Sequence, residues 1–427
     1  MNKPVKSTFS ALRIRNYRLF AAGSLVSNIG TWMQRVAQDW LVLQLTGSGK
    51  ALGITTGLQF LPMLLFSPIA GVFADRFSKR LVIAVSQVVL GLTAGLLGVL
   101  AIAGWVAVWH VYVIAFAFGT AAAFDTPARQ AFVNEMVPTA MLPNAVALNS
   151  ASFNLARMIG PAVAGGLIAL LGSGAGATGW VILVNAATYA AVLVSLKRMH
   201  PGDLTPIDRL VRGKGQIRDG LRYVSGRPDI MLIMAIVFSA GTFGLNFQMT
   251  TALMATEVFD KGAGEYGLLG SILAIGSLVG SLLAARREVA RQRLVIGAAM
   301  AFGAIEMVAG LMPNYLTFAL LLPLCGVTAL TLITTANALV QMSTDAAVRG
   351  RVMALYLAIF MGGTPVGAPM LGWIAERHGA RWTMVGGGVL TMLGTLIATA
   401  VFARSQNMRL WPTTRMIQTV EPAADLR

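Results

Sequence analysis

An all-α membrane protein of twelve transmembrane helices, in two bundles of six, is the fold class this sequence predicts, and three observations predict it. Composition is the first: 56% of the 427 residues are hydrophobic and 12% charged, with a mean hydropathy of +0.71, more apolar surface than a water-soluble domain can hide. The second is length. Apolar runs of about 18 residues or more, each able to cross a hydrocarbon core of about 30 Å as a helix, recur along the whole chain. The third is charge, because the 33 Lys and Arg punctuate the apolar runs instead of forming the single patch that a nucleic-acid surface needs. No nucleic-acid partner is expected.

In chain order, Lys3, Lys6, Arg13, Arg15 and Arg18 precede the first span without a small-residue cleavage site, so no removable signal peptide is expected. The spans run near 19–43, 52–73, 81–104, 109–132, 144–171 and 179–196, then 229–256, 265–285, 293–312, 316–341, 352–375 and 381–403. With the N-terminus inside, Lys50, Lys261, Arg377 and Arg381 are the outer cations and Arg35 and Arg157 those within spans, which leaves the remainder of the 33 inside. That asymmetry predicts both termini in the cytoplasm and a multi-pass protein of the inner (plasma) membrane. Trp40, Trp105, Trp109, Trp180 and Trp382 then fall at outer span ends, where an indole meets the headgroups.

The domain plan follows: 1–196 as a first six-helix bundle, 197–228 as a cytoplasmic linker, 229–403 as a second bundle and 404–427 as a cytoplasmic tail. Within the linker, Ile217, Leu221 and Val224 recur at helical spacing opposite Arg218, Arg222 and Arg227, as in an amphipathic surface helix, although a solvated linker fits equally. An internal repeat supports the halving. Ala145-Val-Ala-Leu148 matches Val352-Met-Ala-Leu355, and Gly160-Pro-Ala-x-x-Gly165 matches Gly367-Ala-Pro-x-x-Gly372, which pairs span 5 with span 11.

The hairpin between spans 2 and 3 reads G-V-F-A-D-R-F-S-K-R from Gly71 to Arg80. It resembles the G-x-L-A-D-R-x-G-R-[RK] loop of the major facilitator superfamily of secondary transporters, with Phe73 for Leu, Ser78 for the second Gly and Lys79 for Arg. The resemblance implies the major facilitator fold and a conformational latch formed by Gly71, Asp75, Arg76, Lys79 and Arg80; a positive-inside anchor is the alternative reading. In span 5, Gly160-Pro161-Ala-Val-Ala-Gly165-Gly166 resembles the G-P-x-x-G-G antiporter motif of drug exporters, lengthened by one residue. Proline there removes a backbone donor and kinks the span, while glycines admit a neighbouring backbone.

Further stretches, Leu12-Arg-x-x-Asn16-Tyr-Arg-Leu, Asn28-Ile-Gly-Thr-Trp-Met-Gln34, Leu45-Thr-Gly-Ser48, Asn149-Ser-x-x-x-Asn154-x-x-Arg157-x-x-Gly160-Pro and Arg349-Gly-Arg351-Val-Met-Ala-Leu, are similar to the enterobactin-exporter-like branch, the transmembrane secretion effectors. That branch implies a monomer that exports siderophores, drugs or other small metabolites in exchange for protons.

Ionised groups at membrane depth cost about 2.5–3.5 kcal/mol or more, so each asks for an explanation. Span 1 carries Gln34, Arg35, Gln38 and Asp39; Arg35 and Asp39 are four apart and able to pair, on a face expected to line the central cavity. Asp39 is the first candidate for proton coupling, because burial opposes its charge and Arg35 supports it. A static ion pair is the alternative. Arg157, near the middle of span 5, needs a carboxylate, carbonyls or an anionic substrate, and Asn149 and Asn154 share its span. Glu306, deep in span 9, is the second coupling candidate or a protonated acid packed between helices. Asp125 and Arg129 form another four-apart pair at the inner end of span 4 beside Pro127, as gate or latch residues. Asn246, Gln248, Asn337 and Gln341 add polar points on spans 7 and 10, for ligand or for helix packing.

Other chemistry finds no support. Gly174-Ala-Gly176-Ala-Thr-Gly179 fits a dinucleotide fingerprint but follows no strand and reads as a turn between spans. His110, His200 and His378 lack metal-ligand spacing, and no G-x-S-x-G or Walker loop occurs, so neither enzyme activity, a cofactor nor a metal is expected. Cys325, the single cysteine, reads as a buried hydrophobe. A secondary transporter exporting small amphipathic molecules is thus the first reading. An importer or lysolipid flippase on the same fold and a non-transporting membrane sensor or scaffold are the rivals.

Overall fold

The computed structural model describes residues 9–205, 216–286, 290–345 and 348–405, and the regular structure there is entirely helical. The first half comprises α1 (Arg15–Thr46), α2 (Gly49–Arg76), α3 (Lys79–Ile102), α4 (Val108–Met136), α5 (Leu142–Leu170) and α6 (Ala175–Arg198). A short α7 (Gln216–Ser225) precedes the second half, which comprises α8 (Pro228–Ser239), α9 (Phe247–Leu253), α10 (Ala263–Ala285), α11 (Gln292–Gly310), α12 (Tyr315–Met342), α13 (Arg349–Gly362), α14 (Thr364–His378) and α15 (Arg381–Ser405). Ten helical segments among the described residues are long and apolar enough to cross a membrane, with α1 and α2, of 32 and 28 residues, packed beside them. Large apolar side chains such as Leu92, Leu170, Leu320 and Ile397 point outward, as lipid-facing positions require.

Local signals place the breaks. Gly47 takes the left-handed conformation at φ 59° and its N–H donates to Leu43 O, which ends α1; the Ser48 hydroxyl then accepts from the Ala51 N–H at 3.2 Å and starts α2. The motif around Asn16 ties the inner end of the first half together. Asn16 exchanges two hydrogen bonds with the His200 backbone, at 2.9 and 3.0 Å, and Tyr17 Oη donates to Ala145 O at 2.8 Å.

Two predicted spans are broken. The stretch expected as one helix over 229–256 contains π turns at Ala240–Gly244 and Met254–Val258, which insert extra residues into the α ladder. The stretch expected as one helix over 352–375 is split into α13 and α14 at Gly362-Gly363-Thr364-Pro365, where Pro365 supplies no N–H to the ladder. Pro161, by contrast, leaves α5 helical from Leu142 to Leu170. The helix expected in the linker is α7: Val224 is buried in the core of the second half, Leu221 is exposed, and the side chains of Ile217 and Arg218 lie outside the described set. Arg227 follows it, its guanidinium held further toward the charged form by Asp229 at 2.7 Å.

The ends of the molecule differ. We call the end bearing the basic loops the inner end. There the apolar interior is two separate cores, one in the first half around Tyr17, Phe20 and Phe132 and one in the second around Ile233, Val352 and Tyr356. At the outer end a single core runs through both halves, from Leu41 and Leu52 to Leu253, Tyr266 and Leu371. The contacts that join the halves include α2 with α14 and α13, α5 with α10, and α1 and α2 with α9. Among the described residues, the core shared by the halves thus lies at the outer end, and the inner end holds one core per half.

Glycine makes the closure. A side-chain carbon added at Gly165 would strike Ala263 O, and one at Gly267 would strike Pro161 O, so α5 and α10 touch backbone to backbone. The second seam repeats this between α2 and α14, where Gly53 meets Ala368 O and Gly372 meets Gly49 O. The repeated stretches from Gly160 to Gly165 and from Gly367 to Gly372 thus occupy equivalent seams. Trp40 lies near the outer end of α1 but is buried, with Nε1 donating to Ser173 O at 3.1 Å, whereas Trp105, Trp109, Trp180 and Trp382 are exposed.

Candidate functional site

Helix α1 carries the polar residues that the two halves share. Asp39 is only 1% exposed, and its Oδ2 accepts from Gln248 Nε2 at 2.6 Å and from Tyr266 Oη at 2.9 Å. Both partners belong to the second half, so this carboxylate fastens the halves at the outer level. Burial without such donors would cost a carboxylate far more than it returns. The expected pairing of Asp39 with Arg35 does not form: the aspartate is taken by donors from across the interface, and the guanidinium lies over rings, 4.6 Å from the Trp32 centroid and 5.4 Å from that of Phe60. The Arg35 Nε has no hydrogen-bond partner.

The remaining α1 residues divide. Gln34 does not face the groove: it is buried against α6, where Asn185 Nδ2 donates to its Oε1. Gln38 is buried with both amide atoms unpaired. From α5, Arg157 approaches the same indole, 5.6 Å from the Trp32 centroid, and Phe153 meets Trp32 edge-on at 5.8 Å. Asn149 and Asn154 are half-buried, and Asn154 Nδ2 donates to Ser150 O at 2.9 Å within its own helix.

In the second half Glu306 is fully buried with neither carboxyl oxygen hydrogen-bonded. It faces the π turn at Gly244 and Thr391 of α15, so it is enclosed by protein instead of facing lipid. Asn246 Nδ2 donates to Thr242 O at 2.8 Å while its Oδ1, like the Thr242 and Thr391 hydroxyls, is unpaired. Asn337 accepts from Gln341 Nε2 on its own helix.

The inner end of the first half holds the ion-pair chemistry. Arg129 Nε donates to Asp125 Oδ2 at 2.5 Å, Gln87 Nε2 donates to Asp125 Oδ1 at 3.0 Å, and Arg129 Nη1 donates to Ser24 Oγ at 2.9 Å. Lys79 pairs with Glu135 at 2.7 Å and Arg80 donates to Leu196 O at 2.6 Å, while Arg76 is exposed. These contacts bind α1, α3, α4 and α6 to one another within one half. Gly71 and the side chain of Asp75 lie outside the described set. Of the antiporter-like stretch, Gly160 packs on Trp32 and Ile29 of α1, Pro161 and Gly165 pack on α10, and Gly166 meets no neighbour.

Sequence reasoning missed two partners of the central carboxylate. Tyr266 is not among the sequence candidates, and Gln248 is one polar point among several. The signal available was a membrane-depth Asp that demanded donors.

The sequence model for transmembrane secretion effectors matches residues 6–422. The chain is 29% identical to the multidrug efflux pump Tap of Mycolicibacterium fortuitum over 86% of this chain and 90% of that one. It is 24% identical to the staphyloferrin A transporter of Staphylococcus aureus, over 89% and 94% of the two chains, and 23% identical to macrolide efflux protein A of Streptococcus pyogenes, over 88% and 94%. Among solved structures it superposes on a bacterial homologue of the human lysosomal transporter Spinster with a TM-score of 0.72, at 14% identity over 94% and 99% of the chains. It superposes on the nucleoside transporter NupG with a TM-score of 0.69, at 13% identity over 91% and 99%.

Proposed function

We propose that this chain, which belongs to the transmembrane secretion effector family of major facilitator transporters, exports small amphipathic molecules from the cytoplasm in exchange for protons. It works as a monomer of the inner membrane, with twelve passes and both termini cytoplasmic, and its halves 1–196 and 229–403 rock about a central groove. The observation that carries the reading is Asp39, a titratable group buried at membrane depth whose hydrogen bonds to Gln248 and Tyr266 cross from one half to the other. A proton on that carboxyl removes its negative charge from the closure, so occupancy by a proton and the state of the outer gate are linked. Glu306, packed against the π turn of the second half, is the second proton site. The loop from Gly71 to Arg80 acts with Asp125 and Arg129 as the inner latch when the halves close inside.

The relatives that bear efflux in their names support export over import. Everted membrane vesicles test the reading. With an imposed proton gradient, vesicles carrying the chain are expected to accumulate at least one compound from a panel of dyes, macrolides and siderophores, and to lose it on addition of a protonophore. Movement of lysolipid alone would favour a flippase, and no movement of any compound would favour a sensor or scaffold.

A further inference from the structure

Resting on the exporter reading above, we infer that Arg35 and Arg157, both within cation–π reach of Trp32, form a subsite for an oxyanion carried on a planar aromatic body. The geometry supplies both parts. Each guanidinium lies within cation–π reach of the same indole, at 4.6 and 5.6 Å from its centroid, so both cations border one aromatic surface. Phe60 and Phe153 add apolar walls at 5.4 Å from Arg35 and 5.8 Å from Trp32.

Charge balance demands an occupant. The carboxylate nearest along α1, Asp39, is committed to Gln248 and Tyr266, and neither arginine has an ion pair or a hydrogen bond among the described residues. Cation–π contact returns less than a guanidinium costs in a membrane interior. A carboxylate, sulfonate or phosphate accepting from both guanidinium forks supplies the difference.

The subsite also opens in the right place. Trp32 and Arg35, Phe60, and Phe153 and Arg157 stand on α1, α2 and α5, the helices of the first half that contact the second half. Phe153 is 49% exposed, which leaves a ring free to stack. The core that spans both halves closes this region toward the outside, and the separated inner cores leave it approachable from within.

Binding to matched dyes tests the inference. The full chain in nanodiscs of zwitterionic phosphatidylcholine is titrated with anilinonaphthalenesulfonate and with its neutral counterpart phenylnaphthylamine, empty nanodiscs being subtracted. The native chain is expected to favour the sulfonate. Arg35→Gln and Arg157→Gln are each expected to weaken sulfonate binding by about tenfold or more and to change binding of the neutral dye by less than about twofold. Arg157→Lys, which keeps the charge and loses the fork, is expected to fall between, and it carries the test if the glutamine variants do not fold.

Equal binding of both dyes by the native chain, or equal losses for both in the variants, would overturn the inference. Repeating the titration in phosphatidylglycerol nanodiscs separates two sources of the same chemistry. Displacement of the sulfonate identifies a lipid headgroup as an occupant, and unchanged binding identifies a soluble anionic amphiphile. Dye binding with no gradient-driven uptake in vesicles would remove the exporter and keep the subsite; uptake without selective binding would do the reverse.

Discussion

Asp39→Asn is expected to abolish gradient-driven accumulation in everted vesicles while leaving exchange of the same compound down its own gradient. Asparagine has nearly the shape of aspartate and keeps an acceptor for Tyr266 or Gln248, so the outer closure can still form. What it lacks is a group that gains and loses a proton. Without that step the two gradients are no longer linked, and uptake against the compound's gradient falls to the level of vesicles lacking the chain. Parallel assays of uphill accumulation and downhill exchange check this. Uphill accumulation at the native rate would move the coupling to Glu306, whose oxygens are buried without a partner. Loss of both activities would make Asp39 a structural clasp.

The second large effect belongs to the glycine seams. Gly267→Val adds a carbon bearing two methyl groups where Pro161 O already lies within collision distance of that carbon alone. Overpacking of this kind costs about 1–3 kcal/mol, and the cost falls only on states in which α5 and α10 touch. The equilibrium should therefore shift away from the outwardly closed state by about fivefold to a hundredfold. A cysteine placed by Gln38→Cys, buried beneath the closure, reports this shift. Its labelling by an impermeant maleimide from outside is expected to be slow in the native background and at least severalfold faster with Gly267→Val, with transport correspondingly lost. Cys325 is buried and should contribute little background. Slow labelling in the variant, together with normal transport, would mean that the seam does not govern the outer gate.

The sequence made the membrane-spanning pattern legible, because lipid imposes a length and a polarity on every pass. It also made the Asp125 and Arg129 pair legible, since residues four apart on one helix meet whatever surrounds them. The same rule failed for Arg35 and Asp39. There the better donors for the carboxylate, Gln248 and Tyr266, arrive from the other half, and the better surface for the guanidinium is Trp32 and Phe60. A spacing rule confined to one helix cannot weigh partners brought in by tertiary packing.

Glycine told a similar story. The repeat of Gly160 to Gly165 in Gly367 to Gly372 was visible as a likeness, but only the folded chain shows that both copies sit in seams between the halves. The π turns at Ala240–Gly244 and Met254–Val258 have no distinct hydropathy signal, because they change hydrogen-bond register without changing side chains. The break before Pro365 did have one, in Gly362-Gly363-Thr364-Pro365, yet the apolar run around it reads as continuous. Gln34 shows the limit of reading polarity as function, since a buried amide serves a helix interface as readily as a ligand.

Proton movement during transport addresses coupled export most directly. A pH-sensitive dye is enclosed in everted vesicles whose interior has been acidified, and a compound that the chain accumulates is then added outside. Coupled export requires the interior to become less acidic as the compound enters, with no such change in vesicles lacking the chain. Entry of the compound with no change in internal pH, or with further acidification, would contradict proton-coupled export.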